Sequence, residues 1–285
     1  MFHFCFGRIA KYPAPIRLGI FLLVLMGIWL PIAAPIYWFW GTGNTASIIT
    51  VLVLYSEFVW LLWFWGRIVL QQPQPLQNHG LVRTCQNGLE LLRGLGIGFI
   101  SLFCLFIVEG WLGWVSWHTT QFLPRFVLEG LMVALGVGFA EELLFRGWLV
   151  DELQRDYYPQ VALWSSSTIY ALLHFIKPWS EILRTIPSFP GLLMLGLTLS
   201  WARQIYHGRL GFAIGLHTGL VWGYYIVNVG ELVQYSNQVP AWVTGIDRNP
   251  LAGCAGLLLL SLIALSLRRF PEAWKEYLTR KRSHK

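Results

Sequence analysis

Eight apolar runs dominate the sequence, and each is long enough to cross a lipid bilayer as a helix. A hydrocarbon core about 30 Å thick requires about 20 apolar residues in an α-helix. Only helices and closed barrels satisfy their backbone hydrogen bonds in lipid, and these runs do not alternate with polar residues as barrel strands do. The sequence therefore predicts an all-α integral membrane protein with about eight transmembrane helices, at residues 17–40, 46–70, 94–117, 122–150, within 157–176, 189–206, 210–229 and 250–270.

The composition excludes a soluble globular protein. Hydrophobic residues make up 55% of the chain and charged residues only 12%, whereas a soluble domain has about 25% charged residues. The four cysteines form no CxxC pair and have no His-rich sequence beside them, so they predict neither a disulfide framework nor a structural zinc site. They are Cys5, Cys85, Cys104 and Cys254.

Lysine and arginine are unequally divided between alternate connecting segments. With the N-terminus inside, fifteen lie in inner segments and four in outer segments, in agreement with the positive-inside rule. Both termini are therefore expected in the cytoplasm, with the protein in a bacterial plasma membrane. The basic tail is expected to meet anionic lipid and not nucleic acid. The outer four are Arg125, Lys177, Arg184 and Arg248, and the inner fifteen are Arg8, Lys11, Arg17, Arg83, Arg93, Arg155, Arg203, Arg209, Arg268, Arg269, Lys275, Arg280, Lys281, Arg282 and Lys285.

No repeat or low-complexity segment divides the chain. Three regions are predicted: an N-terminal membrane region at 1–120, a helical core at 121–230, and an outer loop, last helix and basic tail at 231–285. Gly94, Gly96 and Gly98 resemble half of a nucleotide-binding loop, but they lie in an apolar run with no preceding strand. Close helix packing through small residues is the better explanation.

Five ionisable side chains in the core region predict its chemistry, because a charge inside a bilayer costs about 2.5–3.5 kcal/mol on insertion scales. Glu142 and Arg146 are four residues apart and can pair on one helix face. Glu141 lies about 100° around the helix from Glu142, so it is expected to face His174 and His217 on other helices. These three could activate water or hold a divalent metal ion.

The order of these residues resembles the CPBP family, the type II CAAX prenyl endopeptidases and bacteriocin-processing enzymes also called Abi proteins. The chain reads Glu-Glu-x-x-x-Arg at 141–146, then aromatic-x-x-x-His from Tyr170 to His174, and has a third motif residue, His217, in a later run. The resemblance covers about residues 131–225. It implies a conical catalytic cavity open to the cytoplasmic side.

The resemblance also implies the roles of the residues. Glu141, with His174, would deprotonate a water that attacks a peptide bond, and His217 would bind the oxyanion. Glu142, Arg146 and Tyr170 would support them. The substrate would be a membrane-associated or lipidated protein or peptide. Members of the family are described both as metalloproteases and as metal-independent glutamate proteases, so a zinc ion on Glu141, His174 and His217 is left open.

One position departs from the family pattern and keeps other functions open. The last motif usually reads His-x-x-x-Asn or Asp, and this chain has Val221 at the polar position. A membrane scaffold that binds a partner and has reduced catalysis is therefore the first alternative. A proton-coupled transporter that uses Glu57, Glu109 and the histidines is the second, although no repeated halves accompany it.

Overall fold

The computed structural model describes residues 7–120 and 122–268, and this part of the chain is mostly helical. Four continuous helical stretches are long and apolar enough to cross a membrane, and a shorter apolar helix covers Cys254–Leu267. The predicted helical membrane class is confirmed, and the chain is an integral membrane protein. The four stretches are Ala14–Trp40, Asn44–Ile68, Cys85–Trp111 and Trp179–Ile205.

Each of the eight predicted runs contains a helix. The main helices are α1 (Ala14–Trp40), α2 (Asn44–Ile68), α3 (Cys85–Trp111), α4 (Leu123–Glu141), α5 (Pro159–Leu173), α6 (Phe189–Ile205), α7 (Gly211–Asn228) and α8 (Cys254–Arg268). A π-helical segment, Glu142–Leu149, directly continues α4. Short helices cover Pro75–Asn78, Val150–Leu153, Trp179–Thr185, Ile186–Ser188, Ala241–Thr244, Ile246–Arg248 and Pro250–Ala252.

The third run was placed wrongly at both ends. The predicted span was 94–117, but α3 begins nine residues earlier, where the Thr84 hydroxyl accepts a hydrogen bond from the Asn87 backbone N–H and caps the helix. The first turns of α3 contain polar residues, and their low hydropathy excluded this part of the helix from the predicted span. At the other end the helix stops at Trp111, and strand β1 (Val115–Trp117) pairs antiparallel with β2 (Val233–Tyr235).

The chain forms two compact units. The first contains the described residues of Met1–Asn78 together with Asp151–Tyr158. In it α1 packs on α2, with the rings of Phe21 and Trp65 5.5 Å apart. The buried guanidinium of Arg17 pairs with Glu152 and lies 3.2 Å from an Asp156 carboxylate oxygen. This buried charge is compensated by two carboxylates, as the cost of burying an ion requires.

The second unit contains the described residues of His79–Val150 and Pro159–Lys285, and α3 packs along α7 in it. A Cβ atom on Gly94 or Gly98 would collide with α7 backbone, whereas one on Gly96 would meet nothing within 4 Å. The predicted close packing through glycine is confirmed for the first two positions. Helix α3, which was assigned by sequence to the N-terminal region, therefore packs with the core that carries the ionisable residues.

Candidate active site

The acidic pair lies where the fourth helix changes from α- to π-helical geometry. Glu141 is the last α-helical residue and Glu142 the first π-helical one. Two carbonyl groups of the π-helical segment accept side-chain hydrogen bonds: Ser166 donates to the Phe145 carbonyl at 2.8 Å, and Arg203 donates to the Arg146 carbonyl. π-Helical turns occur frequently at functional sites. The sequence did not predict this one.

A buried cluster of ionisable side chains lies next to Glu141. The Glu142 side chain is fully buried, and one carboxylate oxygen accepts from the Arg146 guanidinium at 2.8 Å, so the predicted pair forms. The same oxygen lies 2.8 Å from His217 Nδ1. Because a carboxylate paired with arginine can only accept, the His217 Nδ1–H donates to it. Glu142 thereby fixes the orientation of the His217 ring.

Tyr170 connects this cluster to His174. The Tyr170 ring is buried, and the central guanidinium carbon of Arg146 lies 4.3 Å from the centroid of this ring, which is a cation–π distance. Its ring is 4.7 Å from that of His174, and its hydroxyl interacts with the Glu141 carboxylate. His174 Nδ1 donates to the Tyr170 carbonyl at 2.8 Å. The unprotonated Nε2 of a neutral His174 is then free to accept a proton.

Glu141 is the more accessible of the two adjacent glutamates. Its side chain is 27% exposed, against 0% for Glu142. One Glu141 carboxylate oxygen lies 3.8 Å from His217 Nε2 and has no hydrogen-bond partner among the described residues. This oxygen is itself buried, and its capacity to accept a hydrogen bond is not used by any of the described side chains.

The three predicted catalytic residues line one cavity of about 310 Å³. Glu141, His174 and His217 all belong to its lining, together with Tyr170. If α5 were straight, it would have to begin later than Pro159 for His174 to lie level with Glu141. Both residues nevertheless line the same cavity. Val221 also lines the cavity, so the departure from the family pattern concerns the site itself. Lys177 and Asn249 line it too, and nothing in their sequence context had indicated this.

The cavity extends toward one end of the second unit. Lys177, Ser188 and Asn249 border it there, in connecting segments that the charge pattern places outside. Beyond Glu141 and His217 in the other direction, Leu143, Leu199 and Leu216 are completely buried. Two expectations from the sequence therefore differ: the charge pattern places these bordering segments outside, whereas the family resemblance implies an opening on the cytoplasmic side.

The donors for a metal ion are present, but they do not converge. Glu141 and the Nε2 atoms of the two histidines have the chemistry that zinc prefers. Within 7–120 and 122–268, however, no group of three or more His, Cys, Asp or Glu side chains is arranged to hold a metal ion. The zinc site stays a prediction, and no catalytic step below depends on it.

The carboxylates named for a proton relay are not part of this site. Glu57 belongs to the first unit, and the buried Glu109 of α3 is not among the residues that line the cavity. The transporter alternative therefore gains no support from the arrangement of these groups.

The comparisons with known proteins agree with the motif residues. No curated protein and no solved structure matched the chain. A family model described as type II CAAX prenyl endopeptidase Rce1-like matches residues 123–223. This interval contains all six residues named from the sequence motifs and ends two residues before the end of the predicted resemblance. Through residues 123–223 the chain is therefore similar to the Rce1-like type II CAAX prenyl endopeptidases.

Proposed function

We propose that the protein is an intramembrane endopeptidase in which Glu141 activates the attacking water. The observation that carries the proposal is the common cavity of Glu141, His174 and His217, with the buried Glu142–Arg146 pair directly behind it. Structural ion pairs alone would not require two histidines and an accessible carboxylate around an open space. The substrate is a membrane-associated or lipidated protein or peptide.

The protonation states follow from the hydrogen bonds. Glu141 is the general base, and the His174 Nε2 lone pair helps to hold the same water. His217 donates Nδ1–H to Glu142, so it can donate to an oxyanion only from Nε2–H, as an imidazolium.

The reaction is then a simple hydrolysis. Glu141 takes a proton from water, and the hydroxide oxygen bonds to the scissile carbonyl carbon. The His217 Nε2–H stabilises the resulting oxyanion, the kind of interaction that supplies the largest share of many rate enhancements. When the C–N bond breaks, the proton held by Glu141 passes to the leaving amine. One water is consumed, and two new chain termini appear.

We also propose that all eight main helices cross the membrane, including the four that fall short in length or apolar character. The π-helical segment and the paired charges explain why the fourth helix is not a uniform apolar stretch. Ion pairing and hydrogen bonding among helices allow such residues to lie at membrane depth. The site would then act on peptide bonds at or near the membrane.

The test compares the peptide termini in membrane fractions from cells with wild-type protein and with Glu141→Gln. The substitution keeps the side-chain shape and removes the base. The matched control is Glu129→Gln, a surface carboxylate that is ion-paired with Arg125 and lies away from the cavity. The proposal requires neo-termini with wild type and with Glu129→Gln but not with Glu141→Gln. Identical profiles for all three would contradict it.

Val221 favours a second candidate, a scaffold with reduced catalysis. It lines the cavity at the motif position where the family usually has a polar side chain. A cavity with less stabilisation of the oxyanion could still bind a membrane segment. Under this alternative, the same partner co-purifies with wild type and with Glu141→Gln, and no termini depend on Glu141.

A further inference from the structure

We infer that the cavity receives its substrate from the extracytoplasmic side of the membrane. The substrate class is then a segment of an exported or membrane-spanning polypeptide that is exposed on that side, and not the prenylated tail of a cytoplasmic protein. The cleavage itself rests on the proposed function, but the side from which the cavity is reached does not. It follows from three observations on the second unit.

The first observation is where the cavity borders on connecting segments. Helix α5 ends at Leu173 and α6 begins at Phe189, and between them Lys177, Thr185 and Ser188 line the cavity. Asn249 lines it from the segment that precedes α8. His174 is exposed. We call this the open end of the second unit.

The second observation is that the opposite end is closed. There the backbone N–H of Leu210 donates to the Gly80 carbonyl at 3.0 Å, and Arg203 donates to the Gly208 carbonyl at 3.0 Å. Arg209 forms an ion pair with the buried Glu90, with a nitrogen–oxygen distance of 2.9 Å. The Leu210–Gly80 and Arg209–Glu90 contacts join the segment before α3, and the first turns of α3, to the connection between α6 and α7. We call this the closed end.

The third observation is the charge carried at each end. Helix α8 begins beside Asn249 at the open end and ends at Arg268, and its fifteen residues span about 22 Å. Six further lysines and arginines follow in 269–285, which lie outside the described residues. The closed end also carries Arg83, Arg203 and Arg209. The positive-inside rule places this end in the cytoplasm and the open end on the other side.

The lining of the cavity agrees with a membrane-derived substrate. Apart from the site residues, its wall is largely formed by leucines from α3, α6, α7 and α8, and Lys177 supplies a positive charge near the open end. An extended apolar segment that emerges from the membrane fits this lining. A cytoplasmic tail would have to cross the closed end to reach Glu141.

The test locates each end with a single thiol and a charged maleimide that does not cross membranes. One full-length variant keeps the native, exposed Cys85 at the closed end and has serine at the other three cysteines. The other has serine at all four and carries Ser180→Cys, at an exposed position in the open-end helix Trp179–Thr185. If Ser180→Cys lowers the amount of protein, the native Cys254, exposed at the start of α8, replaces it as reporter.

The expected result is that Ser180→Cys reacts in intact cells, whereas Cys85 reacts only after permeabilisation. Reaction of Cys85 alone in intact cells, or equal reaction of both thiols there, would overturn the inference. Labelling does not depend on activity, so this result stands even if Glu141→Gln leaves the terminus profile unchanged and the proposed function fails. If the protease test succeeds, neo-termini in cytoplasmic proteins would also overturn the inference.

Discussion

At the residue scale, the two adjacent glutamates are chemically different. Glu142 is completely buried, bonded to Arg146 and to His217, whereas Glu141 is partly exposed and lines the cavity. The first is therefore expected to contribute to stability and to the position of His217, and the second, under the proposed function, to the chemistry. The sequence could place them on different sides of one helix, but it could not show which histidine each would meet.

Glu142→Gln is expected to destabilise the protein and to reduce cleavage. The substitution leaves the completely buried Arg146 without its anionic partner, and breaking a buried pair typically costs about 3–5 kcal/mol. Glu141→Gln, at a partly exposed side chain, is expected to change the unfolding free energy by less than about 1 kcal/mol. Denaturant unfolding of the detergent-solubilised protein measures both. Equal stability of the two variants would contradict the division of roles.

Val221→Asn is expected to raise turnover by about tenfold or more, because one correctly placed oxyanion donor is worth about 10²–10³ in rate. The matched control is Val221→Leu, which changes the shape of the cavity wall but adds no donor. The measurement is the rate at which purified protein cleaves a peptide spanning one of the Glu141-dependent termini. If Asn and Leu have the same effect, residue 221 does not face the oxyanion.

At the scale of elements, glycine determines how closely α3 and α7 approach. Gly98→Ala is expected to cost about 1–3 kcal/mol, because the new methyl group would collide with the Leu216 carbonyl and force the helices apart. Gly96→Ala meets nothing within 4 Å, and alanine favours a helix over glycine by about 1 kcal/mol, so stability should stay equal or rise. Thermal unfolding in detergent distinguishes them. A loss at both positions would mean that helix geometry, and not contact, explains the effect.

The sequence predicted the helices better than their ends. Hydropathy places a helix in every run because the apolar length required by a bilayer is a strong signal. It missed the polar start of α3, which Thr84 caps, and the strand at Val115–Trp117, whose partner lies more than 100 residues away. Pairing over such a distance leaves no local pattern to read.

The candidate site was predicted in its residues but not in its surroundings. Glu141, His174 and His217 were identifiable because an ionisable group in an apolar run is rare and costly. The π-helical segment was not, since it depends on Ser166 and Arg203 satisfying the Phe145 and Arg146 carbonyls from other helices. Ser166 lies in a run of three serines within an apolar helix, and this was the one available signal.

At the scale of the whole molecule, the charge distribution and the position of the cavity together predict the side of the membrane from which the proposed active site is reached. The charge pattern alone left the direction of the cavity unspecified, and the family resemblance implied the cytoplasmic side. Only the segments that border the cavity, around Lys177, Ser188 and Asn249, relate the site to one end of the second unit. A protease open to that side and a cytoplasmic prenyl endopeptidase can therefore share their catalytic residues and act on different substrates.

The orientation is expected to withstand loss of the basic tail. Changing Arg269, Lys275, Arg280, Lys281, Arg282 and Lys285 to glutamine removes six of the fifteen inner charges and leaves nine against four, still a positive-inside bias. The single-thiol reporters Cys85 and Ser180→Cys, placed in this background, should give the same pattern of labelling in intact and permeabilised cells as with the native tail. The control changes Arg83, Arg93 and Arg209 instead, at the closed end. Inversion by the tail changes alone would mean that 269–285, and not the charge distribution along the chain, determines which side the cavity faces.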